Sequence, residues 1–179
     1  MRKTAVAGVA AIFTGLSAAV AALPAWAATP AAKACSTNWG TGARDKALMV
    51  QNRVRDVRAG RHACFDRFVV DLGVGRAPGY HVAYVRAFHA EGSGRLVPTS
   101  GHAKLLVVVR APAAVSFNAS NRHLVSVAGF AEFRQVAGLG SFEGITSIGL
   151  GLRAREPFRV FEFRTASLHV ELVVDVAHG

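Results

Sequence analysis

The sequence predicts an all-β protein: a single-domain β-sandwich of about eight short strands, with an N-terminal arm stapled by one disulfide. Three observations carry this prediction. From about Leu48 onward, short runs alternate apolar and polar residues with the period of two of a half-buried strand, and clusters of Gly, Pro and Ser separate them. Sustained amphipathic helix patterning is missing, as are Walker-type or dinucleotide-binding glycine motifs in a strand-to-helix context. Setting aside the N-terminal segment leaves about 150 residues, enough for one domain with a real core.

Residues 1–27 read as a signal peptide. Arg2 and Lys3 precede an uncharged run rich in Ala, Val and Leu, and Ala25-Trp26-Ala27 supplies an A-x-A cleavage site. The apolar run is also long enough for a short membrane span, but Pro24 and the small residues at the cleavage positions favour processing. The mature chain then starts near Ala28. It has lost Arg2 and Lys3 from the 21 basic residues and kept all 11 acidic ones, for a formal charge of +8. Residues 28–44, ATPAAKACSTNWGTGAR, show neither strand nor helix period and form a linker or arm carrying Cys35 and Trp39. A large aromatic in such a segment is expected to dock on its own domain.

The β-sandwich domain takes up 45–179. QNRVRDVR is its first, weak strand, and FDRFVVDL places Phe68, Val70 and Leu72 on one face and Arg67, Val69 and Asp71 on the other. After the turn GVGRAPG, YHVAYVRAF points Tyr80, Val82 and Tyr84 the same way. AKLLVVVRA is continuously apolar, as expected of a strand covered on both faces. Residues 112–129 are the least regular part. AEFRQVAG, FEGITSIGLGL, PFRVFEF and LHVELVVDVAH supply the remaining strands, the last with Leu168, Val170, Leu172, Val174 and Val176 on one apolar face.

An even cysteine count in an exported chain reads first as a Cys35–Cys64 disulfide. The competing reading is catalytic: His62-Ala63-Cys64 faintly resembles the Ser-His-Gly-Cys signature of L,D-transpeptidases. Here the Ser and Gly are missing and no histidine precedes His62, so no catalytic residue is assigned. The seven histidines show no close metal-ligand spacing, so neither a metal nor a cofactor is expected. An exported basic chain meets wall carboxylates, teichoic phosphates and anionic head groups rather than nucleic acid. Its arginines are spread along the chain without a dense block, so charge alone names no ligand.

The stretches CSTNWGTG, VRAGRHACFDRFVVDL, PGYHVAYV, SFEGITSIGLGL, PFRVF and VVDVAH, in this order from Cys35 to His178, make the chain similar to the secreted AMIN-like domain proteins of actinobacteria. The closing TASLHVELVVDVAH departs from that pattern by lacking a Pro- or Arg-containing lead-in. The resemblance implies a β-sandwich related to the AMIN module, which in other envelope proteins helps localise amidases and secretins to the wall. It implies the same cysteine pair and transfers no catalytic residue.

Among the motif's polar residues, Arg61, Asp66, Arg67, Tyr80, Glu143, Arg159 and Asp175 are the ligand-binding candidates, with His62 and His178 beside them. Tyr80 offers a stacking platform for a sugar and the arginines offer forks for carboxylates. The same residues could instead fix strand register at sheet ends. The expectation is an extracytoplasmic, envelope-associated, non-enzymatic domain, not integral to the membrane after signal cleavage. It would bind peptidoglycan or an attached anionic polymer. The alternative is a structural or protein-interaction domain with an envelope protein as partner, and a wall hydrolase or transpeptidase ranks last.

Overall fold

The computed structural model describes residues 35, 37–114 and 117–179; the expected leader, 1–27, and the start of the arm, 28–34, lie outside them. Among the described residues, nine strands form two antiparallel sheets. The first has the order β1 (Arg44–Lys46), β4 (Tyr80–Val85), β5 (Ala103–Val109), β7 (Ile145–Leu152), β6 (Phe133–Phe142). The second has the order β2 (Asp56–Arg61), β3 (Phe65–Val74), β9 (His169–Ala177), β8 (Phe158–Arg164). No helix among the described residues is long and apolar enough to cross a membrane.

The expected inner faces form. Phe68, Val70 and Leu72 of β3 and Leu172, Val174 and Val176 of β9 are buried in one cluster with Val82, Leu105, Val107, Ile148, Leu150 and Leu152 of the other sheet. Two sheets thus share one core, the definition of a sandwich. Burying each large aliphatic or aromatic side chain contributes about 1.5–3 kcal/mol.

Three details differ from the sequence reading. Leu168 does not join the apolar face of β9; it lies in the β8–β9 turn with a φ of 63° and is exposed, because that connection needs a left-handed residue. The QNRVRDVR run becomes a strand only from Asp56, its earlier Val54 making an isolated parallel bridge to Ala113. Strand β1 is additional: Arg44-Asp45-Lys46 carries no apolar alternation and forms the sheet edge, pairing only with β4.

Cys35 and Cys64 are joined in a disulfide across a sequence separation of 29. The chain-entropy model assigns such a loop up to about 3.5 kcal/mol. Replacing both cysteines by Ser is expected to lower the urea midpoint by up to that free energy. An unchanged midpoint would show that the arm is held by its other contacts.

Candidate functional site

The four-stranded sheet has one face on the core and one facing out, and strand register sets what lines the outer face. In the β2-β3-β9-β8 order, Gly60 lies opposite Arg67, Arg67 opposite Asp175, and Asp175 opposite Arg159. One row across four strands therefore reads glycine, arginine, aspartate, arginine. The next row along the sheet is Arg58, Val69, Val173 and Phe161, and the one after it ends in Glu171 and Phe163.

Asp175 is completely buried, while Arg67 and Arg159 keep 28% and 42% of their side chains exposed. The carboxylate is forked by Arg67, whose Nε donates to Oδ1 at 2.7 Å and whose Nη2 donates to Oδ2 at 2.9 Å. Arg159 donates its Nε to Oδ2 at 2.9 Å. Hydrogen bonding to Asp175 raises Arg67 above the usual guanidinium range. With the charge neutralised from two sides, the buried carboxylate has the partners that burial demands.

Aromatic rings hold the guanidiniums in turn. Arg67 lies 5.1 Å from the Phe65 ring centroid and 5.4 Å from that of Phe161. Arg159 lies 4.4 Å from the Trp39 centroid and 5.2 Å from that of Phe161. Trp39 meets Phe65 edge-on at 5.8 Å, docking on its own domain as the sequence led us to expect. The arm is fastened there by the disulfide and by Phe158 N–H donating to the Gly40 carbonyl. His62 stacks on Phe65 at 4.4 Å.

Beside this ladder lies a hollow of about 330 Å³ lined by Arg58, His62, Arg67, Phe161, Phe163 and Glu171, with Val69 and Val173 as floor. Arg58 donates to Glu171 at 2.6 Å. A larger cleft of about 710 Å³ lies along the 123–130 loop, but the guanidinium of Arg134 there is committed to the carbonyls of Phe130, Ala131 and Phe133, and His123 is its one other ionisable lining residue. It offers less chemistry for recognition than the sheet face does.

Of the seven ligand-binding candidates, Arg67, Arg159 and Asp175 come together on this face, and Arg61 sits at the end of β2, where it donates to the Gly129 carbonyl. Asp66 points into the sandwich instead. Its Oδ2 accepts the N–H groups of Glu132 at 2.6 Å and Phe133 at 3.0 Å, and its Oδ1 lies 3.0 Å from His178 Nε2. Tyr80 belongs to β4 in the other sheet and packs on the core. Glu143 has a φ of 49° and Gly144 one of 79° in the two-residue turn joining β6 and β7, the left-handed pair of a type I′ hairpin.

The structure adds Trp39, Phe65, Phe161, Phe163, Arg58 and Glu171 to the face. Period-two alternation already sets Arg159, Phe161 and Phe163 on one side of PFRVFEF, a signal that could have found the last two.

Asp71 extends the polar pattern along the same face. Burial alone would raise its carboxyl, but the Gly73 N–H at 2.6 Å, His169 at 3.0 Å and the nearby Arg58 charge together hold it below the usual carboxylate range. Both cysteines are paired, so Cys64 supplies no thiolate nucleophile. Among the described residues, no group of His, Cys, Asp and Glu is arranged to hold a metal ion.

Fold and face together define a β-sandwich with an arginine-aromatic surface built on one sheet. Within that class, the AMIN-like domain family profile matches residues 52–178, and the chain belongs to this family. No curated protein and no solved structure matches the chain. AMIN-like domains are generally non-catalytic and envelope-associated, and the disulfide is consistent with an extracytoplasmic location.

Proposed function

We propose that this protein is an exported, non-enzymatic domain that binds cell-wall glycan or an attached anionic polymer through the outer face of its four-stranded sheet. The observation that carries the reading is the Arg67–Asp175–Arg159 ladder held between Trp39, Phe65 and Phe161. Rings and guanidiniums locked by packing present stacking surface and hydrogen-bond donors with little rotamer entropy left to lose on binding. A net basic chain adds attraction to polyanions. Family membership supports the compartment.

A structural or protein-interaction role is the second reading, supported by β2 and β8 standing at the two margins of their sheet and by the exposed Phe163 at one of them. Co-sedimentation of residues 28–179 with purified sacculi separates the two. Pelleting that persists in high salt and after removal of teichoic-type polymers is expected, with Trp39→Ala weakening it about tenfold, the loss of one good stacking contact. Absence of pelleting at low salt would overturn the wall reading and leave a protein partner.

A further inference from the structure

Gly60 occupies a position that does not require glycine. It lies inside β2, paired with Arg67, and its φ is outside the left-handed region. A Cβ built there would meet nothing nearer than His62 Nε2, at 3.8 Å. Glycine inside a strand is destabilising relative to alanine by about 0.5–1 kcal/mol. What its missing side chain leaves open is the hollow of about 330 Å³, which also borders Gly60.

The chemistry around the hollow is specific. Phe161 and Phe163 offer ring faces or edges on the β8 side, over the apolar floor of Val69 and Val173. Arg67 commits Nε and Nη2 to Asp175, and Arg58 commits Nη2 to Glu171. The other N–H groups of these two arginines, and both ring nitrogens of His62, have no hydrogen-bond partner among the described residues. Arg58, Arg67 and Arg159 share this face with the carboxylates of Glu171, Asp175 and Asp71, so recognition of an added carboxylate falls to the uncommitted N–H groups rather than to a net charge. The volume lies at the small end of ordinary ligand sites, room for a sugar unit rather than a long peptide.

We infer that the hollow kept open by Gly60 is a subsite for one carboxylate-bearing pyranose unit of an envelope glycan. The ring's C–H face lies on Phe161 and Phe163, and its carboxylate accepts from Arg67, Arg58 and His62. This rests on the wall-binding reading above and narrows it to acidic sugars.

The test titrates the folded protein with tetragalacturonate and with its methyl ester, in which each carboxylate is capped by a methyl group and carries no charge, following Trp39 fluorescence and calorimetric heat. Wild type is expected to bind the acid saturably and the ester at least about tenfold more weakly, the scale of one charge-assisted hydrogen bond. Gly60→Ala, which adds one methyl group, is expected to stay within about threefold of wild type, and Gly60→Leu, which fills the hollow, to lose binding by more than about tenfold. The urea midpoint of Gly60→Leu should not fall, because a strand glycine is being replaced.

Equal affinity for acid and ester, undiminished binding by Gly60→Leu, or no saturable binding by wild type would each overturn the subsite. Sacculus pelleting, run in parallel, distinguishes the two failures. Wild type and Gly60→Leu pelleting alike leaves the wall reading standing without this subsite, whereas a wild type that does not pellet fails the wall reading itself.

Discussion

Replacing Arg67 and Arg159 together by Met is expected to destabilise the protein by about 3–5 kcal/mol, whereas Arg159→Met alone costs about 1 kcal/mol. The asymmetry follows from the geometry. With Arg159 gone, Arg67 still forks both oxygens of Asp175 at 2.7 and 2.9 Å. With both gone, a carboxylate that has no solvent exposure is left without a cation. Adding Asp175→Leu to the double variant should recover most of the loss, because replacing a whole buried ionic cluster by packed apolar groups is often neutral, whereas removing one side of it is not. Urea unfolding of the single, double and triple variants measures all three steps. A double variant no less stable than Arg159→Met would show that water reaches Asp175 and that the ladder contributes little to folding. The wall-binding reading makes a further demand: the triple variant should fold yet fail to pellet with sacculi.

The second large effect belongs to Asp66→Ala, expected to cost about 2–4 kcal/mol by orphaning two buried backbone donors. The carboxylate accepts the Glu132 and Phe133 N–H groups at the start of β6, tying the irregular segment before that strand to β3. Asp66→Asn keeps a carbonyl oxygen for those donors and turns an amide toward His178 Nε2, so it should cost only about 1 kcal/mol. Equal losses for the two substitutions would mean that the carboxylate charge, rather than its acceptor geometry, holds the junction. The nearby Glu132 strengthens the expectation. Its Oε1 accepts from Arg153 while Oε2 is buried with no hydrogen-bond partner among the described residues.

Much of the fold was legible because burial imposes a period of two on each strand. Phe68, Val70 and Leu72 announce an inner face by themselves, and the same alternation sends Arg67 outward. Alternation assigns a face and does not name a neighbour. That Arg67 meets Asp175 depends on β3 pairing with β9, a register chosen by the whole core rather than by either segment. Asp66 shows the converse: an aspartate at the end of an inward face reads as a surface group until the backbone donors of a distant loop are placed against it. The edge strand β1 escaped detection for a different reason. Three polar residues held by the main chain of β4 carry no side-chain signature of being a strand.

The row that builds the candidate surface has a temporal consequence. Arg67 and Asp175 stand 108 positions apart, and β9 is the last of the strands among the described residues. A growing polypeptide can complete neither the central β3–β9 pairing nor the outer face until Asp175, 108 positions after Arg67, has emerged. Sheets closed by such distant partners assemble on the slow side of single-domain folding, roughly milliseconds to seconds. The surface comes into being only with β9, and a chain that stops short of Asp175 carries its arginines without their anchor.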